Sequence, residues 1–177
     1  MSTTRLTTRL LNRLRSIRPP GRRAATPRAE LPAYLALGAL GERLAADLLE
    51  RAGYRLVASN FKLPVGRNLR GAVVHTEIDL VAYDGATLCF VEVKTRRSDE
   101  FAAPEANVDL RKQRQITRAA RVYRRTFGVA GEPYRYDVVS LVIPDEQRGG
   151  EEVRPPRAEL FKSFWSDAKF RKRRWSE

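Results

Sequence analysis

Residues 75–80 (His-Thr-Glu-Ile-Asp-Leu) and 90–97 (Phe-Val-Glu-Val-Lys-Thr-Arg-Arg) are strand-like runs, and they carry Glu77, Asp79, Glu92 and Lys94. Acids are depleted in strands, so three carboxylates in such sequence need a reason. Between the runs stands Asp84-Gly85, a strong hairpin signal. Taken as a two-residue turn, it sets Ile78 opposite Val91 and Leu80 opposite Cys89, with Ala82 near Thr87. That makes one apolar face. The other face opposes Glu77 to Glu92, with Asp79 one diagonal step from Glu92. Lys94 falls on the same side, because side chains alternate along a strand. Any turn of even length keeps this grouping, and a three-residue turn breaks it.

Like charges opposed on a sheet are destabilising. At ~5 Å and an effective dielectric of ~20, two carboxylates repel by about 3 kcal/mol. Domains are marginally stable, so something must offset that term. A divalent cation does, and clustered carboxylate oxygens suit Mg²⁺ or Mn²⁺. Lys94 offsets part of it without a metal. From the hairpin alone two readings stand: a metal site with an adjacent cation, or a solvated face on which acids and Lys94 pair.

The chain has 177 residues and is 42% apolar, enough for one domain with a core. Its 34 Lys and Arg against 21 Asp and Glu leave a formal net charge of +13. Residues 1–33 contain eight Arg and one acid, a charge of +7, which leaves +6 for the rest. A polyanion partner fits, whether nucleic acid or an anionic membrane surface, and so does a merely soluble basic tail. One Cys (Cys89) and one His (His75) exclude disulfides, Cys/His zinc sites and a Cys–His nucleophile pair. Cys89, among Leu88, Phe90 and Val91, reads as core, and His75 as a loop residue. The sequence has no apolar run long enough to span a membrane. No continuous apolar stretch marks the N-terminus for secretion, so a bacterial cytoplasmic location is expected. Organelle targeting by the Arg-rich residues 1–33 is the minor alternative.

Three segments follow from the punctuation. Residues 1–33 read as a disordered basic extension. Residues 34–145 read as the folded domain, and 146–177 as a Pro/Gly-rich linker with a basic aromatic tail. Within the domain, helical spacing runs over 34–52 and 106–127. Strands are expected at 54–61, 74–83, 87–95 and 134–143, with 62–73 a loop. The order αβββαβ predicts an α/β fold: a mixed sheet of about four strands flanked by two helices, the last strand parallel to the third. The second helix carries Arg111, Arg114, Arg118, Arg121 and Arg125 in one stripe, with no acid between Asp109 and Glu132. Solvated helices usually mix signs, so phosphate contact is favoured over a plain solvated face. Phe164 and Trp165 are expected to dock the tail onto the domain rather than stack on unpaired bases.

Asp79 followed by Glu92-Val93-Lys94 resembles the PD-(D/E)xK nuclease signature. A wider set resembles the YraN-like family over roughly residues 35–145. It comprises Gly38, Gly41-Glu42, Ala45, Gly53-Tyr54, Asn60, Glu77-Ile78-Asp79-Leu80, Phe90 to Arg96, Lys112 and Tyr136-Asp137-Val138-Val139. That family consists of predicted bacterial endonucleases with a restriction-endonuclease-like fold, related to archaeal Holliday-junction resolvases. Two departures stand out: Thr76 where the family usually has Gly, and a longer loop over 62–75.

The resemblance implies roles. Asp79 and Glu92 would be metal ligands, with the Val93 carbonyl as a backbone ligand, for Mg²⁺ or Mn²⁺. Lys94 would orient or help deprotonate the attacking water and stabilise charge on the phosphate. Glu42 would complete the acidic cluster, and Glu77 would be a further ligand, an outer acid or an ordinary edge-strand acid. Lys112, Arg114, Arg118, Arg121 and Arg125 would contact nucleic acid, most readily DNA. The expected function is a metal-dependent endonuclease hydrolysing phosphodiesters, in branched or flapped DNA. The alternative is a non-catalytic nucleic-acid-binding accessory protein on the same fold. A homodimer is expected if both strands of a duplex are cut.

Overall fold

The computed structural model describes residues 32–97, 108–144 and 155–170. Residues 1–31 of the basic extension expected over 1–33, and the Arg171–Arg174 run, lie outside them. The elements are α1 (Ala33–Arg51), β1 (Arg55–Arg67), β2 (Val73–Asp84), β3 (Thr87–Arg96), α2 (Leu110–Thr126), β4 (Tyr134–Val142) and β5 (Arg157–Trp165), then a short 3-10 turn at Asp167–Phe170. All five strands form one sheet in the order β1-β2-β3-β4-β5. β3 and β4 are parallel and the other neighbours antiparallel, so this is the mixed α/β sheet expected.

Helices cover both faces of the centre. Ala45 and Leu49 of α1 pack with Leu80, Ala82, Cys89, Val91, Val93, Val139 and Leu141. Ile116, Ala119, Ala120 and Tyr123 of α2 pack with Val81, Tyr83, Leu88, Phe90, Tyr136 and Val138. A strand covered on both sides has to read as continuous apolar sequence, which is how residues 88–91 read. Burial pushes the Cys89 thiol up to about 12, with Asp137 adding to the effect, so it stays protonated in the core.

The fifth strand is a correction. The Gly and Pro cluster at 144–156 predicted that the compact part ends there, yet the chain returns as β5 along β4. Aromatic burial drives the return. Trp165 stacks on Tyr136 at 4.8 Å and 7°, and its indole donates to Thr117 Oγ1 of α2 at 3.0 Å. Asp137, fully buried, accepts the Ser163 N–H at 2.8 Å and both bonds from Arg135 Nε at 3.0 Å. Arg135 also reaches Asp84 at 2.6 Å and Tyr54 Oη at 2.7 Å.

β1 also differs from expectation: it runs to Arg67, through residues read as loop. Pro64 lacks a donor, which an outermost strand tolerates, and the register shifts between Pro64 and Gly66. His75 accordingly lies in β2 rather than in a loop.

The β2–β3 register is offset by two from that predicted. Asp84 pairs with Thr87, so Gly85-Ala86 forms the turn, with Gly85 at φ 58°. An offset of two preserves which residues share a face. In this register Asp79, not Glu77, would oppose Glu92.

Candidate functional site

The site lies where two strands part. β2 pairs with β1 along almost its whole length, from Val73 to Tyr83, but with β3 only from Leu80 to Asp84. Beyond Val91, β3 continues against β4 alone, up to Arg96 paired with Val142. Asp79 and Glu92 are the first residues past the fork, one on each strand.

The side chain of Asp79 bridges the gap. Val93 N donates to Asp79 Oδ2 at 2.8 Å, in place of the ladder bond that has ended. The alternation of faces breaks here. Ile78 packs in the α2-side cluster and Leu80, two residues on, in the α1-side cluster. Ile78, expected on one face with Leu80 and Ala82, is therefore displaced from that grouping. Level with Asp79 in β1 stands Asn60, flanked by the Ser59–Leu80 and Phe61–Ile78 pairs, at φ 50°. Such local irregularities re-aim side chains, commonly beside functional sites.

Glu92 is 1% exposed. Its Oε1 lies 2.8 Å from Lys94 Nζ, and its Oε2 lies 3.1 Å from Lys112 Nζ. The same Lys112 Nζ is 3.8 Å from Asp79 Oδ1. One ammonium is thus shared by two carboxylates. Glu92 Oε2 is buried and accepts no well-aligned hydrogen bond, although the Lys112 charge is close. Burial foremost, then the Glu92 charge, pushes the Asp79 carboxyl up to about 7, against the pull of Lys112 and the Val93 N–H. For Lys112 burial works downward, but Asp79 and Glu92 outweigh it and hold its ammonium above the usual lysine range.

Lys112 is positioned by its helix. Asp109 caps α2, its Oδ1 accepting Lys112 N at 2.7 Å, which fixes Lys112 in the first turn. That turn contains no acid, although a helix N-terminus favours negative charge. The nearby Asp79 and Glu92 supply it instead. Lys112, expected to contact nucleic acid but set apart from the arginine stripe by its place near the helix boundary, towards the site, stands in the acid cluster. Its signal was present in the sequence: a cation three residues after an Asp cap breaks a local rule.

The remaining expected residues are placed differently. Glu42, half-buried on α1, accepts a hydrogen bond from Asn60 Nδ2 at 2.7 Å. Asn60 is thus a link between Glu42 and the strand position beside Asp79, a pairing that sequence reasoning missed. Gly41 before it is in close approach: a Cβ there would overlap Thr95 Oγ1, next to Lys94. Among the described residues no three His, Cys, Asp or Glu side chains are grouped as a metal cage, so Asp79 and Glu92 stand as a pair. Glu77 pairs with Lys62 at 3.5 Å, and its charge adds, after those of Asp79 and Glu92, to the field on Lys112.

Arg111, Arg114, Arg118, Arg121 and Arg125 are all exposed, as one stripe along α2. Two of its members meet the C-terminal turn. Arg121 Nε donates to Asp167 Oδ2 at 2.9 Å, and Arg114 lies 5.6 Å from the Phe170 ring centroid.

Fold and site together define an α/β protein with a forked mixed sheet, whose fork holds an Asp, a Glu-Val-Lys run and a helix-borne lysine. A profile of the Uncharacterised protein family UPF0102 matches residues 41–141, and the chain belongs to that family, the YraN-like one. The UPF0102 protein of Alkaliphilus metalliredigens is 38% identical over 112 residues, covering 63% of this chain and 90% of the relative. That of Renibacterium salmoninarum is 42% identical over 118 residues, 67% of this chain and 88% of the relative. That of Chlorobium limicola is 37% identical over 132 residues, 74% and 93% respectively. The matched region contains every residue of the fork, and β5 falls beyond it. Among the described residues no helix is long and apolar enough to cross a membrane.

Proposed function

We propose that the protein is a metal-dependent endonuclease that hydrolyses phosphodiesters in DNA, on a restriction-endonuclease-like sheet. The observation that carries the reading is the convergence of Asp79, Glu92 and Lys94 at the fork, with Glu92 buried and one of its oxygens accepting no aligned hydrogen bond. Burying a carboxylate is costly unless cations or donors surround it, so the arrangement is not a solvated hairpin face.

The donor set fits a hard divalent cation. Asp79 Oδ1 and Glu92 Oε2 already share one positive centre, the Lys112 ammonium. Asp79 and Glu92 would hold Mg²⁺ or Mn²⁺, with the Val93 carbonyl as a third donor. Such an ion would supply a polarised phosphoryl group and a bound water of lowered pKa. The chain's own groups do the rest. The Val93 N–H fixes the Asp79 carboxylate. Lys94, about a third exposed, reaches outward from Glu92 and supplies a proton donor and positive charge where a phosphate would lie. Glu42, held by Asn60, stands as a further acid on the α1 side. The arginine stripe of α2 offers phosphates a surface leading to Lys112.

A non-catalytic nucleic-acid-binding role remains the second reading, favoured by one fact: Lys94 and Lys112 already neutralise both acids without a metal. The test is incubation with forked, nicked, four-way and single-stranded DNA and with RNA, with Mg²⁺ or Mn²⁺. Cleavage by the wild type that disappears in Lys94→Ala supports the enzyme. Binding without cleavage supports the second reading. Equal cleavage by both proteins rejects the site.

A further inference from the structure

Resting on the nucleic-acid reading above, we propose that the β1–β2 hairpin is a wedge that enters the base stack at an interruption in a duplex. Beyond the fork, β2 keeps only β1 as a partner, so the hairpin leaves the sheet as a two-stranded arm. Its base is anchored: Leu63 and Thr76 are buried and Val65 packs on the α2-side core. From Gly66 to His75 every residue is exposed.

Three features of the arm point to one occupant. The first is charge. No acid occurs from Phe61 to Thr76, while Lys62, Arg67 and Arg70 do. The second is a built tip. Asn68 Oδ1 accepts from Arg70 N and from Ala72 N, both at 3.0 Å. Asn68 N donates to Ala72 O, Gly71 N to Asn68 O, and the Arg67 guanidinium to Gly71 O at 2.7 Å. The third is what this tip presents. Leu69 is fully exposed, with Val73 at 45% and Val74 at 36% beside it. A flexible polar loop would need none of these bonds. A fixed leucine flanked by cations is the chemistry of side chains that unstack bases while neighbouring cations hold phosphates. Gly71 is eight residues from Asp79, about 26 Å of strand at ~3.3 Å per residue. The tip would therefore engage a duplex at some distance from the bond over the fork, and an apolar wedge is useful only where stacking is already broken. A second protein is the competing occupant, and the missing acids in the arm disfavour it.

The test uses the full chain in EDTA and a forked duplex carrying 2-aminopurine at the branch, a base that brightens when unstacked. Expected for the wild type is binding with a rise in fluorescence. Leu69→Ser, at a fully exposed site, should bind within about twofold and lose most of the rise. Arg70→Ala should keep the rise but lower the slope of log K against log salt by about 1, one phosphate contact. Wild-type binding with both variants unchanged overturns the wedge and leaves the nucleic-acid reading intact. No wild-type binding to any nucleic acid overturns both. Loss of self-association in Leu69→Ser, with its DNA response unchanged, assigns the tip to a second copy of the chain and overturns the wedge.

Discussion

Lys112 stands 3.1 Å from Glu92 across the fork, so a helix reaches into the sheet to place an ammonium where the proposed cation would bind. Ion and ammonium then compete for the same two carboxylates. Lys112→Met should lower the thermal stability of the metal-free protein, because buried Glu92 loses one of its two ion-pair partners and keeps Lys94; breaking a buried ion pair by removing one partner costs about 3–5 kcal/mol. The same variant should bind Mn²⁺ more tightly, by about tenfold if the competition is worth ~1.4 kcal/mol. Calorimetric titration with Mn²⁺ measures it. Equal or weaker binding by Lys112→Met would show that the lysine does not compete.

Asp79→Asn tests the other half of the cluster. Asparagine still accepts the Val93 N–H, so the strand gap stays bridged while one charge disappears. Millimolar Mg²⁺ should raise the melting temperature of the wild type and leave that of Asp79→Asn unmoved. A ligand at 100 times its Kd stabilises by about 2.7 kcal/mol, which is several degrees for a domain of this size. An identical gain in both proteins would place the ion elsewhere.

The approach of Asp79 to Glu92 and Lys94 was legible from period-two alternation, which a register offset of two leaves intact; Glu77, expected with them, pairs with Lys62 instead, the alternation breaking between Ile78 and Leu80. The offset arose because Asp84 reads as a turn residue but serves as the last paired one, with its carboxylate taken by Arg135 at 2.6 Å and Lys162 at 3.0 Å. The inward reach of Lys112 was harder to see. A stripe of cations does not say which member turns toward a sheet until the helix start is fixed by Asp109. β5 was hidden for a different reason. Its apolar residues, Leu160, Phe161, Phe164 and Trp165, do not alternate, since the register shifts between Tyr136 and Val138 and Ser163 sits at φ 55°. No strand pattern survives such an interruption.

β5 should nonetheless matter for stability. Trp165 is 6% exposed and joins β5, β4 and α2 through one stack and one hydrogen bond. Trp165→Ala should cost about 3–5 kcal/mol, the usual range for emptying a large aromatic site. Chemical denaturation measures this. A loss under 1 kcal/mol would mean that β5 is an ornament on a self-sufficient four-stranded sheet.

Gly41 is the tightest approach of α1 to the site strand. Gly41→Ala would force its methyl against Thr95, and the helix must shift or Thr95 must rotate. Overpacking of this kind costs about 1–3 kcal/mol, which outweighs the gain in helix propensity. Thr95→Ser in the same background removes the Thr95 methyl but keeps the hydroxyl, the atom most crowded, and should rescue little. Thr95→Gly should rescue more. Melting temperatures in that order test whether the clash, rather than the helix, sets the cost.

Acid should loosen the C-terminal turn. Burial works to raise the Asp167 carboxyl, but the hydroxyl of Tyr136, the guanidinium of Arg121 and the hydroxyl of Tyr134 outweigh it and hold it below the usual carboxylate range. Tyr136 Oη donates to Asp167 Oδ1 at 2.6 Å. A carboxyl with a depressed folded pKa contributes stability that is present above its unfolded value near 3.8 and is lost as pH falls through the folded value. The window is therefore below about pH 4. Asp167→Asn should reduce stability at neutral pH by about 1–2 kcal/mol, the scale of a charged hydrogen bond. It should also flatten the acid limb of the stability profile, so that the two proteins converge as pH falls. Unfolding followed from pH 7 to pH 3 would reveal it, and parallel profiles for the two proteins would mean that Asp167 carries no such linkage.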